Sequence, residues 1–327
     1  MDEEISLTEL GIEWRGTPRL WKTINKKIIP VSNAKGEIKD ISGKVLSQIS
    51  KIENIGEGRY GIVEITNRKT SESKTQVVAL KRANESDAEL IHEALFQWLL
   101  QKKLAKFGLS HSVPRVYDIF THFLTNKIMF TMDYIQGDLM SNWCVKHLKH
   151  PKLFIQLLLQ IALILYVFDT KLHLNHRDLK LNNILVEEKP TTLKLTKGGI
   201  EHTIEFPFRI IIIDFGLMCI KEIVDLPVNK LGTTLPSLDP CPKIGRDIFQ
   251  VLASLWNIGT LRGFLNKYYG DWVRERFYSG GKDCPLKAET FKNLKWMYDK
   301  TYEENFKAPL CAPEKIIDDC IAELEKE

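Results

Sequence analysis

The sequence lacks cysteine motifs for metal binding and long runs of basic residues. Its six cysteines form no C-x-x-C pair, and no histidine stands at zinc-finger spacing from two of them. Free thiols in a reducing compartment are therefore expected. The 46 basic and 42 acidic residues leave a net charge of only +4 and form no long basic run, so no nucleic-acid partner is expected.

Leader-like and membrane-spanning stretches are also lacking. The N-terminus, MDEEISLTEL, is acidic and has no apolar core, so it is not a signal peptide. The most apolar stretch, 153–168, contains Gln156 and Gln160 and is shorter than the about 20 apolar residues of a membrane span. It predicts a buried core helix. We expect a soluble, intracellular protein of the cytoplasm or nucleus, with no membrane contact.

The pattern of apolar residues divides the 327-residue chain into three parts. Residues 1–45 show no sustained period and form an N-terminal extension, 46–135 are rich in strands, and 136–327 are mainly helical. This predicts an α+β fold with a small β-rich lobe and a larger helical lobe. The expected strands lie at 51–66 (two around a glycine turn), 76–80, 127–135, 184–186 and 210–213, and the expected helices at 87–106, 151–170, 246–258, 261–278, 287–304 and 312–325.

A glycine-rich turn, I-G-E-G-R-Y-G-I-V, occupies residues 55–63. A lone G-x-G-x-x-G also occurs in dinucleotide-binding folds, where it opens a helix, and in ordinary turns. Residues 62–66 instead favour a strand after the glycines. A strand, glycine turn and second strand can fold over nucleotide phosphates, and the absence of side chains at Gly56 and Gly58 permits close approach.

Lys81 ends the predicted buried strand V-A-L-K. A buried ammonium is costly unless it is paired, so we expect it to reach phosphates and a carboxylate of the following helix. Taken alone, a surface lysine at a strand edge is an equally good interpretation. Glu89 and Glu93 lie one turn apart on one helix face, and both could supply the carboxylate. Glu93 is favoured because the apolar residues at 95, 98 and 99 follow it.

The strongest signal is the string H-R-D-L-K-L-N-N at 176–183, which matches H-R-D-L-x-x-x-N without departure. Asp178 can accept or orient the proton of a substrate hydroxyl. Asn183 can turn back to hold Mg²⁺, and Lys180 can contact a γ-phosphate and offset its charge. Downstream, a β-branched strand leads to Asp214 of D-F-G, which supplies a second metal ligand.

Taken together, these motifs make the chain resemble the eukaryotic-type protein kinase family. The glycine turn, V-A-L-K, the helix glutamate, H-R-D-L-K-x-x-N and D-F-G appear in family order across about residues 50–260. The resemblance implies transfer of the γ-phosphoryl group of ATP to serine or threonine of protein substrates, with Mg²⁺ as cofactor and Mn²⁺ as an alternative. The serine/threonine preference rests on Lys180. No oligomeric state is indicated.

The same resemblance implies a set of nucleotide contacts. Met132 would be the gatekeeper, the backbones of Asp133 and Ile135 would bond the adenine, and Asp138 could meet the ribose. The other expected ATP contacts are Ile55, Gly56, Gly58, Gly61, Val63, Ala79 and Lys81.

One departure from the family lies between the catalytic string and D-F-G. An enlarged hairpin is predicted at about 187–208, as in haspin-like kinases and the kinases of large DNA viruses. The chain most resembles that group. A viral origin would place the protein in the host cell or the virion.

A second departure is the absence of A-P-E after D-F-G. The segment 217–246 is short, so we expect constitutive competence rather than activation by phosphorylation. Thr233, Thr234 and Ser237 are interpreted as ordinary loop residues. Asp247 looks like the helix aspartate that braces the catalytic loop, or is a plain helix N-cap.

Two other functions compete with an active protein kinase. A nucleotide-binding pseudokinase or scaffold would need no catalytic residues, yet Lys81, Asp178, Asn183 and Asp214 are all present. A small-molecule kinase of the same broad fold would lack the H-R-D-L-K string.

Overall fold

The computed structural model describes residues 3–58, 61–70, 72, 74–83, 87–197, 200–221, 240–281 and 294–326. They form two compact units. The first contains the described residues of Met1–Lys103 and Val113–Ile135, and the second those of Leu104–Ser112, Gln136–Val224 and Asn229–Glu327.

The first unit contains a closed β-sheet and a long helix. Its elements are β1 Ile5–Ser6, β2 Arg15–Gly16, β3 Val31–Ser32, β4 Glu37–Lys39, β5 Val45–Gly58, β6 Gly61–Thr70, β7 Thr75–Ala83, α1 Asp87–Ala105, β8 Val116–Thr121 and β9 Ile128–Asp133. Seven of the strands follow the order β3-β4-β5-β6-β7-β9-β8 in the sheet, and β3 closes the ring by pairing in parallel with β8. Short 3₁₀ helices lie at Thr8–Leu10, Pro18–Thr23 and Lys26–Ile28.

A buried carboxylate, that of Asp118, links several strands of this sheet by hydrogen bonds. Asp118 on β8 is 3% exposed, and its oxygens accept hydrogen bonds from Arg68 at 2.6 and 2.9 Å and from Ser47 at 2.9 Å. The hydroxyl of Thr131 on β9 also donates to it. A buried charge is tolerated only when it is paired and hydrogen-bonded, and here both conditions hold.

The described N-terminal residues, 3–45, pack on helix α1 and pair with the closed sheet. Trp21 is 1% exposed, and its ring lies 5.3 Å from that of Phe96 on α1. Glu9 accepts a hydrogen bond from the indole of Trp98 and pairs with Lys102 at 2.6 Å. Strands β3 and β4, also before residue 45, belong to the closed sheet. The segment therefore contributes both packing and sheet pairing to the first unit.

We expect Trp21→Ala to lower the free energy of unfolding by about 3–5 kcal/mol, because it empties a buried aromatic site against α1. Urea denaturation measures this change. Leu20→Ala is the matched control, since its side chain is 47% exposed and should cost far less. Equal losses in the two variants would contradict the packing of this segment.

The second unit is mainly helical. Its helices are α2 Met140–His147, α3 Pro151–Leu172, α4 Arg246–Asn257, α5 Gly259–Ser279, α6 Lys295–Thr301 and α7 Pro313–Leu324. Its strands are β10 Asp138–Leu139, β11 Leu174–Asn175, β12 Ile184–Glu187, β13 Thr191–Lys197, β14 Ile200–Phe206, β15 Arg209–Ile212 and β16 Cys219–Ile220. They form the small sheets β10-β12-β15, β11-β16 and the hairpin β13-β14. Further 3₁₀ helices lie at Ser110–Ser112, Leu181–Asn183, Phe215–Leu217 and Pro309–Cys311.

Helix α3 is the core of this unit, as its apolar sequence predicts. By length and composition alone it could cross a membrane, but 72% of its most apolar window is buried inside the protein. Gln160, its fully buried polar residue, donates to the carbonyl of Phe208 at 3.1 Å and accepts from the amide of Ile210. The side-chain amide of Gln160 thus provides hydrogen-bond partners for backbone groups at the start of β15, the strand that leads to Asp214.

The predicted elements differ from the observed ones mainly in extent. The predicted helix 287–304 is observed as α6, Lys295–Thr301, within the described residues, and 282–293 lie outside them. Helix α2 has no counterpart among the predicted elements, and neither do strands β1 to β4, β8, β10, β11 and β16. The segment that includes Thr233, Thr234 and Ser237 lies outside the described residues.

The expectation of six free thiols is wrong for two cysteines. Cys219 on β16 and Cys241 before α4 form a disulfide, although they are 22 residues apart and match no motif. Cys144, Cys311 and Cys320 are buried and form no disulfide within the described part of the chain. Cys284 lies outside the described residues. Burial raises the pKa of the Cys144 thiol, so this thiol stays protonated.

Candidate active site

The glycine turn joins β5 and β6, so a strand follows it as predicted. Gly61 requires the absence of a side chain, because a Cβ there would lie 2.6 Å from the carbonyl oxygen of Arg82. A Cβ at Gly56 would meet nothing within 4 Å, which leaves space beside the strand. Gly58 pairs with Gly61 in the ladder. Arg59 and Tyr60 lie outside the described residues.

Lys81 and Glu93 form a buried ion pair within the first unit. The ammonium nitrogen lies 2.5 Å from a Glu93 carboxylate oxygen, and the two residues are 7% and 3% exposed. Strand β7 delivers the lysine and α1 delivers the glutamate. The side chain of Glu89 lies outside the described ones. The geometry therefore supports Glu93 as the partner of Lys81.

Strand β9 contains two of the residues expected to contact adenine, Met132 and Asp133. Met132 pairs with Ala79 in the ladder, and its sulfur lies 3.3 Å from the amide nitrogen of Gln97 on α1. The Asp133 carboxylate accepts from the hydroxyl of Tyr117 at 2.5 Å. Burial, helped by this bond, raises the pKa of Tyr117 to about 12, so the phenol remains a donor.

The remaining expected nucleotide contacts lie in both units. In the first, Ile55 is 46% exposed, Val63 pairs with Lys81 in the ladder, and Ile135 is partly exposed. In the second, Asp138 on β10 pairs with Lys146 at 2.8 Å.

The catalytic string forms a loop in the second unit, between β11 and β12. The carboxylate of Asp178 is 5% exposed and accepts from Lys180 at 2.9 and 3.2 Å. The amide nitrogen of Asn183 donates to Asp178 twice, to its carbonyl at 2.7 Å and to its carboxylate at 2.9 Å. The structure thus brings the three predicted loop residues together.

Helix α4 holds the backbone of this loop. The two oxygens of Asp247 accept from the amides of His176 at 2.8 Å and Arg177 at 3.0 Å. Gln250 accepts from the amide of Leu179 at 2.9 Å. The prediction that Asp247 braces the catalytic loop is confirmed. Arg177 has a positive φ of 71°, which the surrounding bonds hold in place.

Asp214 follows the buried strand β15. Its φ of 66° is unusual for a residue with a side chain, and such conformations concentrate at functional sites. The amide of Ile213 donates to the carbonyl of Asn183 at 3.0 Å, so the two predicted metal-binding segments are adjacent. The ring of Phe215 lies 5.2 Å from that of His176.

Sequence reasoning missed several residues around the loop. Gln250 and Ser254, whose hydroxyl accepts from the amide of Leu181 at 3.2 Å, lie on the same face of α4 as Asp247. Polar residues at i, i+3 and i+7 between the apolar residues of this helix could have indicated them in the sequence. Tyr298 on α6 also donates to the Asp178 carboxylate. No local pattern marks a residue 120 positions away.

Comparisons with known proteins agree with this geometry. The protein kinase domain family matches residues 49–223, more than half of the 327 residues. This chain belongs to that family, whose members generally use ATP and Mg²⁺. The serine/threonine-protein kinase Nek8 of Danio rerio is 28% identical over 159 residues, which cover 47% of this chain and 22% of that protein. The chain therefore spans about a fifth of the length of this curated relative.

Proposed function

We propose that this chain is a serine/threonine protein kinase that transfers the γ-phosphoryl group of Mg·ATP to hydroxyls of other proteins. The observation that carries the proposal is the catalytic loop, in which Lys180 and Asn183 converge on the buried carboxylate of Asp178. A protein that only bound nucleotide would not need this arrangement. Lys180 and the name of the Danio rerio relative support serine and threonine as acceptors.

Each residue has a distinct part in this reaction. Asp178 would accept the proton of the attacking hydroxyl, and Lys180 would move from Asp178 to the γ-phosphate. Lys81, held by Glu93, would bind the α- and β-phosphates. Because the transition state spreads charge over phosphate oxygens, catalysis consists mainly of positioning and charge neutralisation.

The residues present fit magnesium. Asn183 and Asp214 offer oxygen ligands, and the Asn183 amide nitrogen is bonded to Asp178, so its oxygen is directed elsewhere. Among the described residues there is no cluster of three or more His, Cys, Asp or Glu side chains suited to a metal. Mg²⁺ does not need one, since it binds through one or two protein oxygens plus substrate phosphates and water. When bound, the metal would neutralise phosphate charge.

We further propose that the kinase is constitutively competent. The pair Lys81–Glu93 is formed, and α1 is held by the N-terminal segment that includes Trp21. Arg177, which is fully buried, lies 5.4 Å from the ring of Tyr302. The residues of these contacts all lie outside 217–246, which supports activity without phosphorylation of the segment after D-F-G.

The proposal also covers the domain roles, the kinase group, the cellular location and the partners of this chain. Residues 46–135 would act as the nucleotide-binding lobe and 136–327 as the catalytic lobe, with 1–45 as an extension that packs on α1 and adds β3 and β4 to the closed sheet. The hairpin β13–β14 supports a grouping with haspin-like and large DNA virus kinases. Cytoplasm or nucleus, or the host cell or virion for a viral protein, is proposed as its location. Protein substrates are its proposed partners.

Radiolabelled ATP tests the proposal directly. We expect the wild-type chain to label casein or histone in the presence of Mg²⁺, with Mn²⁺ as a substitute, and EDTA to abolish labelling. Phosphoamino-acid analysis should show phosphoserine or phosphothreonine. Asp214→Asn should lower the transfer rate about 100-fold or more, because it removes a charged ligand of the metal.

Each failure has a separate meaning. ATP binding without transfer would identify a pseudokinase, and phosphotyrosine would contradict the inference from Lys180. Labelling that persists in EDTA would exclude the proposed metal site. Loss of activity after phosphatase treatment of the purified chain would contradict constitutive competence.

A further inference from the structure

Tyr298, on helix α6, contacts the proposed catalytic carboxylate. Its hydroxyl donates to one oxygen of Asp178, Oδ1, and lies 3.5 Å from the ammonium of Lys180, which donates to it. The three side chains therefore form a closed set of contacts. The tyrosine follows the aspartate by 120 residues, so the contact depends entirely on the tertiary structure.

Helix α6 is held against the catalytic loop by further bonds. The fully buried Thr301 accepts from the Gln250 amide at 3.1 Å, and its carbonyl accepts from Lys243 at 3.3 Å. The hydroxyl of Tyr302 donates to the carbonyl of Arg177 at 3.1 Å. These bonds anchor the C-terminal end of α6 to α4 and to the catalytic loop, and so place Tyr298, one turn earlier, beside Asp178.

The contacts on Asp178 differ in what nucleotide binding would do to them. Oδ1 accepts from Lys180 at 3.2 Å and from Tyr298, whereas Oδ2 accepts from Lys180 at 2.9 Å and from Asn183 at 2.9 Å. In the proposed reaction Lys180 would move to a phosphate and leave both oxygens, whereas Asn183 would bind the metal through its oxygen and could keep its amide nitrogen on Oδ2. The Tyr298 hydroxyl, which has no part in binding phosphate or metal, would then be the remaining donor to Oδ1.

We infer that Tyr298 is a positioning residue that holds Oδ1 of Asp178 and thereby fixes the orientation of the carboxylate toward the hydroxyl of the protein substrate. This inference rests on the proposed function. The support for the catalytic carboxylate thus comes from a C-terminal helix of the second unit. Such a contact fixes the rotation of the carboxylate, and small misplacements of a reacting group are costly in rate.

Tyr298→Phe tests this role, because it removes the hydroxyl and keeps the ring. We expect kcat for transfer to casein to fall about 10- to 100-fold, equivalent to losing one hydrogen bond to a charged group. The KM for Mg·ATP should stay within about twofold, because Tyr298 contacts the proposed general base, Asp178, and not the nucleotide. Tyr278→Phe, with a side chain 51% exposed in the same unit, is the matched control and should behave as wild type.

A double-mutant cycle separates positioning from a structural role. If Tyr298 acts through Asp178, adding Tyr298→Phe to Asp178→Asn should not lower the residual rate further. Thermal melting of each variant establishes that it is folded. An unchanged kcat in Tyr298→Phe, or losses that simply add in the cycle, would overturn the inference.

Two other results are also decisive. Faster transfer by Tyr298→Phe would mean that the hydroxyl blocks the substrate position, which overturns positioning. Absence of transfer by the wild-type chain would overturn the proposed function and this inference together, whereas wild-type transfer with an unaffected variant overturns the inference alone.

Discussion

Asp178→Asn is expected to lower the rate of phosphoryl transfer to protein by about 10²- to 10⁴-fold, the usual contribution of a positioned general base. The amide keeps the size of the carboxylate but cannot take up a proton, and it loses the charge that Lys180 faces at 2.9 Å. Nucleotide affinity should survive, because the residues proposed to bind the phosphates and the metal are unchanged. Initial rates with casein and thermal shifts with Mg·ATP measure the two properties.

The control for this variant is Asp271→Asn on α5. Its side chain is 94% exposed, so the same chemical change should leave the rate unaltered. Transfer by Asp178→Asn at the wild-type rate would show that the catalytic assignment is wrong. A phosphoproteomic comparison of the wild-type and Asp178→Asn proteins in the native cell would identify the substrates whose phosphorylation depends on Asp178.

Glu93→Ala is expected to lower the free energy of unfolding by about 3–5 kcal/mol and to impair transfer. Breaking a buried ion pair from one side leaves the other charge poorly compensated, and Lys81 is only 7% exposed. Transfer should fall because the lysine loses the carboxylate that orients it at 2.5 Å. Urea denaturation and initial rates measure the two effects.

A double substitution separates stability from function at this pair. Lys81→Met with Glu93→Leu replaces both charges by apolar groups, which often restores or improves the stability of a buried pair. We expect this variant to unfold at a urea concentration near that of the wild type and yet to transfer no phosphate. Glu89→Ala, one turn earlier in α1, is the control. A larger loss of activity there would make Glu89 the partner of Lys81.

Short sequence motifs predicted many of the residues in the candidate active site. The H-R-D-L-K-L-N-N string and D-F-G predict a loop and a strand end, and the structure places Asp178, Lys180 and Asn183 in mutual contact. The preference for Glu93 over Glu89 came from helical periodicity. These features are readable because the spacing along one element fixes which side chains share a face.

Other features depend on packing between distant segments. Residues 1–45 show no period, yet Trp21 packs on Phe96 and strands β3 and β4 join the closed sheet. The expectation of free thiols failed at Cys219 and Cys241 for the same reason. A sequence pattern carries no information about which two segments, both irregular on their own, will meet.

The sequence by itself determined the family, the α+β class and the residues proposed to bind phosphate, metal and the substrate proton. Their chemistry needs particular residue types at short, fixed spacings, and such spacings are visible in one dimension. Only the tertiary structure decided that α4 braces the catalytic loop through Asp247 and Gln250, and that Tyr298 contacts Asp178. Those contacts join residues 70 or more positions apart, where burial and packing, rather than local periodicity, select the partner.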